Sequence, residues 1–146
     1  METEQASSKE PKKIKLDFKD SLYATGRRKK SIARVWLKKG SGKIYVNGKS
    51  YDSYFKRDRH QMQLLRPFEL INQNSSYDVR CNVRGGGATG QVGAMVLGIS
   101  RALIKIDSNF KPALKKEKLT TRDSRSVERK KYGHRKARRS FQFSKR

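Results

Sequence analysis

The chain has 146 residues, a length typical of one domain, so a large multidomain enzyme is excluded. It carries 37 lysine and arginine residues against 13 aspartate and glutamate residues, a formal net charge of +24. Self-repulsion at this charge destabilises a compact state unless a polyanion neutralises it, so the expected partner is a nucleic acid. The longest uncharged stretch, residues 85–100, is rich in glycine and too short and polar to cross a bilayer, so we expect no membrane partner.

The charge is distributed unevenly and divides the chain into three predicted regions. Residues 1–22 balance their basic and acidic side chains, contain few large apolar groups, and are expected to form a poorly ordered extension. Residues 23–114 have a net charge of +13 together with most of the aliphatic side chains, and form the predicted globular domain. Residues 115–146 have a net charge of +11 and too little apolar surface to offset their ordering entropy. We expect this tail to become ordered only on a partner.

Apolar periodicity predicts strands and then helices in the first half of the domain. Residues 31–37 alternate, and a glycine-rich break at 40–42 precedes residues 43–46, which predicts two strands joined as a hairpin. After the turn dipeptide Asn47-Gly48, apolar residues at near-helical spacing between Tyr51 and Leu65 predict one or two short helices that end at Pro67.

The second half of the domain contains the clearest patterns. Odd-numbered positions from Tyr77 to Val83 are apolar and even-numbered positions are polar, which predicts a half-buried strand. From Thr89 to Ile106 apolar residues recur at the three- and four-residue spacing of a helix packed on the sheet. Three glycines inside it each cost about 1 kcal/mol relative to alanine, so we expect close backbone approach there. The predicted fold class is α+β, a small sheet with helices packed on it.

The sequence offers no catalytic residues, metal site or cofactor site. One cysteine cannot form an internal disulfide, and together with two distant histidines it lacks the spacing of a zinc site. No Ser, His and Asp set is suggested, because His134 lies in a strongly basic run that favours phosphate contact. We therefore expect neither enzymatic activity nor a small-molecule substrate.

The glycine-rich segment Gly85–Gly90 permits several interpretations. It matches G-x-G-x-x-G, but a dinucleotide fold also needs a parallel strand after the helix, and no apolar strand follows Asp107. Glycine N–H groups ahead of a helix amino terminus suit a nucleic-acid phosphate. The alternative is a glycine turn required only for the strand-to-helix geometry.

Basic runs support nucleic-acid binding, since four of them in so short a chain exceed what a solvated surface needs. They are Arg27–Lys30, Lys38–Lys39, Arg129–Lys131 and Arg135–Arg139. Aromatic residues interleave with the tail charges and suit stacking on bases. The rival functions are a shape-insensitive DNA binder and a phosphate-transferring enzyme, but the best helix carries only Arg101 and Lys105 where a groove-inserting helix would be basic along one face.

Five segments spanning Tyr23 to Arg146 resemble small-subunit ribosomal protein nine of the bacterial and organellar type. They are YATGRRKKSIARV (23–35), GSGKIYVNG (40–48), RGGGATGQVGA (84–94), LTTRDSRSVERKKYG (119–133) and KARRSFQFSKR (136–146). The resemblance implies an α+β body similar to domain two of ribosomal protein five, placed in the head of the small subunit among neighbouring head proteins. It also implies a long extended basic tail that threads through rRNA to the anticodon stem-loop of the peptidyl-site tRNA.

The resemblance also implies which residues contact RNA. The rRNA-binding residues it implies are Gly26, Arg27, Arg28, Lys29, Lys30, Arg84, Gly85, Gly86, Gly87, Arg122, Arg125, Arg129, Lys130, Lys131, Arg135, Lys136, Arg138 and Arg139. The tRNA-binding residues it implies are Ser144, Lys145 and Arg146. The compartment it allows is a bacterial cytoplasm or a mitochondrial matrix.

Overall fold

The computed structural model describes residues 18–145, and within them it confirms the α+β class. The strands of its single sheet are β1 (Leu22–Arg28), β2 (Ser31–Lys39), β3 (Ile44–Val46), β4 (Lys49–Ser50) and β5 (Tyr77–Arg84). The helices are α1 (Tyr51–Tyr54), α2 (Asp58–Leu70), α3 (Ala88–Ile106) and α4 (Lys111–Lys116), with a 3-10 turn at Ser108–Phe110. Most of the predicted extension, residues 1–17, lies outside the described residues. No helix within 18–145 is long and apolar enough to span a membrane.

The strand order is β1-β2-β5-β3-β4, so the predicted hairpin between residues 31–37 and 43–46 is wrong. β2 pairs with β1 and β5, whereas β3 lies beyond β5 and runs parallel to it. The connection between β2 and β3 crosses the start of β5, where Asp78 Oδ1 accepts hydrogen bonds from the backbone N–H groups of Ser41 (2.9 Å) and Lys43 (2.8 Å). The glycine-rich break therefore marks a crossover, which local sequence cannot distinguish from a turn because β5 lies much further along the chain.

The hairpin partner of β2 is β1, a strand that the sequence pattern did not reveal. Its buried positions are Ala24 and Gly26, which are too small to produce an apolar alternation. β1 pairs with β2 along its full length and leaves Lys29 and Lys30 as a two-residue turn. Lys29 has a φ of 52°, the left-handed conformation that tight hairpin turns use. The first basic run is therefore held at a hairpin tip.

Helix α3 packs across β1, β2 and β5 and confirms the predicted helix. Its predicted apolar positions are buried or half-buried. The expected close approach also occurs, because a Cβ on Gly98 would lie 2.7 Å from Cγ2 of Val35. A Cβ on Gly26 of β1 would overlap the carbonyl oxygen of Ala94. Glycines on both elements therefore let the helix and strand backbones come together.

Helix α2 continues past Pro67 to Leu70, contrary to the prediction that this proline ends it. A proline inside a helix removes one backbone hydrogen bond and costs about 3 kcal/mol. Pro67 is buried together with Leu64 and Phe68 on the inner side of the helix, and this apolar burial offsets the cost. Tertiary packing therefore overrides the local signal.

The core lies between the helices and one face of the sheet, and it includes Cys81, whose thiol pKa is raised by burial. The opposite face carries no helix among residues 18–145, and its side chains are exposed or half-buried. We call it the open sheet face. Its residues are Tyr23, Thr25, Arg27, Ile32, Arg34, Trp36, Lys38, Tyr45, Asp78, Arg80, Asn82 and Arg84.

Candidate nucleic-acid interface

The glycine loop connects β5 to α3 and is exposed. Gly85 and Gly86 have φ angles of 72° and 63°, the left-handed region that favours glycine. Ser31 Oγ donates a hydrogen bond to the Gly85 carbonyl (3.0 Å), as does the side-chain amide of Gln91 (3.2 Å). A Cβ on Gly86 would overlap the Ser31 hydroxyl. The turn geometry alone therefore accounts for glycine at these two positions.

Gly87 differs from its two neighbours, because the turn does not require a glycine there. Its φ is −105°, and an added Cβ would meet nothing within 4 Å. It is the N-cap of α3, and no side chain caps the helix. The first intrahelical bond runs from Gln91 N–H to the Gly87 carbonyl (2.9 Å), so the N–H groups of Ala88 and Thr89 have no acceptor within the helix. Both residues are exposed, which leaves the positive end of α3 open to an anion.

Predicted cations lie beside the glycine loop, because a Cβ on Gly85 would lie 2.5 Å from the Lys30 carbonyl oxygen and Ile32, next to the Lys29-Lys30 turn, pairs with Arg84 at the end of β5. Arg27, Lys29, Lys30 and Arg84 are all exposed. These four residues and Gly85–Gly87 form what we call the loop surface.

Two residues of the predicted set point into the body instead. Gly26 is buried against α3, and that packing accounts for its glycine without an RNA contact. The Arg28 side chain is only 17% exposed and lies against Gly93 of α3. Its Nη2 is 3.2 Å from a carboxylate oxygen of Asp123. Arg28 therefore serves the fold, and local sequence could not separate it from Arg27 because strand alternation decides which one faces out.

Asp123 joins the body to the beginning of the tail, a role that the sequence reasoning missed. Arg125 donates to both oxygens of its carboxylate, from Nε (3.0 and 3.2 Å), from Nη2 (2.8 Å) and from the backbone N–H (3.0 Å). The pKa of Asp123 is well below its usual range, because of these hydrogen bonds first and the charges of Arg125 and Arg28 second. An acid within a basic segment is the only sequence signal for this anchor.

The rest of the tail presents its cations to solvent. Residues 122–145 contain no helix or strand beyond an isolated bridge between His134 and Ser140. Arg138 binds the Glu128 carboxylate through two hydrogen bonds of 2.9 Å and helps to close a loop over residues 128–140. The predicted tail residues that are exposed are Arg122, Arg125, Arg129, Lys130, Lys131, Arg135, Lys136, Arg138, Arg139, Ser144 and Lys145. Arg146 lies outside the described residues.

Comparison with known proteins gives one consistent result. A sequence model of the family described as ribosomal protein S9/S16 matches residues 26–146. The protein named small ribosomal subunit protein uS9 from Rickettsia canadensis (strain McKiel) is 55% identical over 132 residues, which cover 90% of this chain and 82% of that protein. Its namesake from Cytophaga hutchinsonii is 55% identical over 125 residues, which cover 86% of this chain and 98% of that protein.

The matched residues include the loop surface and the described part of the tail. The resemblance noted from the sequence is therefore confirmed, and the chain belongs to the ribosomal protein S9/S16 family, a family of structural proteins rather than enzymes.

Proposed function

We propose that the chain is a structural constituent of the small ribosomal subunit that binds rRNA with its body and tail and reaches the peptidyl-site tRNA with its C-terminus. Family membership supports the place in the small subunit, and the observation that carries the rRNA contact is the uncapped amino terminus of α3 at Gly87, exposed next to the cations of the loop surface. The relatives named small ribosomal subunit protein uS9 come from bacteria, so we place the chain in the ribosome of the bacterial cytoplasm.

On the body, an rRNA phosphate sits at the start of α3. The N–H groups of Ala88 and Thr89 donate to it, and the helix dipole favours its negative charge. Lys29, Lys30 and Arg84 add charge around this point. Gly26 and Arg28 support the surface from beneath by packing.

The tail acts as a long basic strand that rRNA orders. Its exposed arginines and lysines neutralise phosphates, and Tyr132 and Phe143, which are 93% and 87% exposed, are free to stack on bases. Ser144, Lys145 and Arg146 end this strand, and we assign them to the tRNA backbone. Such contacts position a tRNA without reading its sequence.

The same proposal includes the division into an extension (1–22), a body (23–114) and a tail (115–146). Helix α4 crosses the second boundary, and Leu119 packs against the core, so the described body reaches slightly beyond residue 114. Protein neighbours in the subunit head and a body similar to domain two of ribosomal protein five belong to the proposal as well.

The geometry of α3 argues against a DNA-reading function. Its two exposed cations, Arg101 and Lys105, donate hydrogen bonds to the backbone carbonyls of Thr25 (3.0 Å) and Tyr23 (2.7 Å) on β1. These side chains therefore tie the helix to the sheet. The exposed side of the helix offers no other basic side chain for a groove, because residues between its glycine-rich start and Arg101 are uncharged.

The test uses the open space at Gly87. Gly87→Asp and Gly87→Asn both add an N-cap side chain, which should raise the free energy of unfolding by a few tenths of a kcal/mol. The Asp carboxylate also occupies the anion position, so Gly87→Asp should weaken binding to transcribed small-subunit rRNA by about tenfold or more, the value of one charged hydrogen bond. Filter retention across a salt series measures this affinity.

Gly87→Asn is the matched control, because it has the same size and capping ability without the charge. Its capping oxygen takes up one N–H group of the helix end, so it should bind rRNA less tightly than the wild type but more tightly than Gly87→Asp. Wild-type affinity of both variants would mean that the glycine loop serves only the strand-to-helix geometry.

A further inference from the structure

The open sheet face has an aromatic and arginine-rich centre at Trp36. The ring of Tyr23 lies 5.3 Å from that of Trp36, centroid to centroid. The guanidinium carbons of Arg34 and Arg80 lie 5.2 and 5.6 Å from the Trp36 centroid, over its ring. Two charged planes therefore cover one large indole in the middle of a solvent-facing sheet.

The strand register extends this centre across the sheet. Tyr23 pairs with Trp36, Trp36 with Arg80, and Arg80 with Tyr45, so four neighbouring strands contribute one row of three aromatic rings and an arginine. Adjacent strands are about 4.8 Å apart. The row is therefore a continuous platform that alternation along each strand aims away from the core.

The contacts among these exposed side chains contribute little to the stability of the fold. Tyr23 and Ile32 remain 39% and 43% exposed, although burial of such side chains would stabilise the body. Exposed cation–π contacts stabilise a fold by only about 0.5 to 1 kcal/mol. The Arg34 side chain donates only to the Tyr23 hydroxyl (3.3 Å), and Arg80 has no side-chain hydrogen bond among the described residues. Within residues 18–145, most of the donors of both guanidinium groups therefore have no acceptor.

The charge of the face selects the class of partner. Five of its residues are cations, Arg27, Arg34, Lys38, Arg80 and Arg84. Its single acid, Asp78, is already occupied by the backbone N–H groups of Ser41 and Lys43 at one end. A polyanion that carries planar groups can pair with the cations and stack on the rings, whereas a protein partner would have to supply several carboxylates.

We propose that the open sheet face is a second rRNA-binding surface, on which unpaired bases stack against Tyr23 and the guanidinium planes over Trp36 while the free N–H donors bind phosphates. RNA-binding proteins use aromatic and arginine planes for unpaired bases in this way. The inference rests on the proposed rRNA binding and extends it. Arg27 and Arg84 belong to both this face and the loop surface, so one RNA segment can cross from one to the other.

The test reports on the face directly, because Trp36 is the only tryptophan of the chain. The full-length protein is prepared with 5-hydroxytryptophan at position 36, which is excited apart from ordinary tryptophan. Its quenching by acrylamide is compared free, bound to transcribed small-subunit rRNA, and after addition of the other small-subunit proteins. We expect a severalfold fall in the quenching constant on binding rRNA alone.

A double variant separates specific contacts from charge. Arg34→Gln with Arg80→Gln should flatten the dependence of log affinity on log salt by about 0.7 to 0.9 for each phosphate that the variant no longer neutralises, and should leave the probe at position 36 more accessible. Lys111→Gln with Lys115→Gln removes the same formal charge from exposed positions on α4, on the helix side of the body. This control pair should leave the accessibility of the probe unchanged.

The outcomes are distinguishable from those of the Gly87 experiment. Retention of the protein on rRNA with an unchanged quenching constant would overturn this inference and leave the proposed function intact. Protection that appears only after the other proteins are added would mean that the face binds a protein. Absence of retention would contradict both proposals.

Discussion

The packed body, which the structure extends from Leu22 to Leu119, and the rest of the tail (residues 120–145) are both basic, but they hold their cations differently. In the body, Arg28 is nearly buried, and Arg101 and Lys105 donate to strand carbonyls, so several charges are fixed by the chain itself. In the tail almost every cation is exposed, and its few ion pairs involve Asp123 and Glu128. Under the proposed function, the fold fixes these cations of the body before RNA binds, whereas the RNA arranges the exposed cations of the tail.

The largest expected effect comes from removing the close approach that organises the body. Gly26→Val places a branched side chain where a Cβ already overlaps the Ala94 carbonyl and lies 2.6 Å from the Gly98 nitrogen. Because both atoms belong to the α3 backbone, the helix must move, and the free energy of unfolding should fall by about 3 kcal/mol. Urea unfolding followed by circular dichroism measures it.

The Gly87→Asn variant is the comparison for this change, because its side chain enters open space. If Gly26→Val were as stable as Gly87→Asn, the body would not depend on the packing of β1 against α3. The contrast between a rigid body and a partner-ordered tail would then fail.

A smaller effect is expected where the tail joins the body. Asp123→Asn removes the charge that binds Arg28 and Arg125 but keeps the side chain nearly the same size. Tryptic cleavage after Arg125 and Arg129 should become severalfold faster, while the unfolding midpoint of the body changes little. Unchanged cleavage would show that Asp123 does not anchor the tail, and Glu128→Asn, which breaks only an ion pair within the tail, serves as the control.

The pH dependence of this anchor follows from the lowered pKa of Asp123. A carboxylate whose pKa is lower in the docked state contributes fully above the ordinary value of about 4, and the contribution is lost as the pH falls below it. The Arg125 N–H should therefore be protected from hydrogen exchange more in the wild type than in Asp123→Asn, by a ratio of protection factors that is constant from about pH 5 to 8, a range above the ordinary carboxylate pKa. This ratio should shrink at lower pH. A difference that disappears near neutral pH would contradict the assignment.

The smallest effect on the fold is expected from the C-terminus. Deletion of Ser144–Arg146 removes two cations and no large apolar side chain, so stability and rRNA docking should hardly change. The salt dependence of peptidyl-site tRNA binding to reconstituted subunits should flatten by about 0.7 to 0.9 log units for each tRNA phosphate left without its cation, with either of two unrelated tRNAs. Identical slopes for full-length and truncated protein would mean that these residues do not reach the tRNA.

Some elements could be predicted because their pattern contains the whole cause of their structure. β5 alternates strictly between buried and open positions, and α3 repeats its apolar residues with helical spacing. The structure confirms the prediction of both elements. β1 was missed because its inward residues are small, and the end of α2 was misplaced because the burial of Pro67 is decided by distant neighbours. The predicted pairing of residues 31–37 with residues 43–46 is wrong for the same reason, because the strand that separates them, β5, lies far along the chain.

Some residues of the candidate site could likewise be predicted from the sequence, whereas others depend on the fold. The glycine loop and the basic runs were visible in the sequence, but the separate status of Gly87 depends on open space that only the fold creates. The anchor at Asp123 requires Arg28 to face inward, and the platform at Trp36 requires β1 and β5 to lie on either side of β2.

The order of amino acids was enough for the family, the α+β class, the excess of positive charge and the segments that carry it, because motifs, periodicity and composition are local or additive properties. Tertiary structure alone decided which of these cations support the fold and which remain exposed. That choice depends on strand order and on the packing of α3, where residues far apart in the chain determine what each side chain faces.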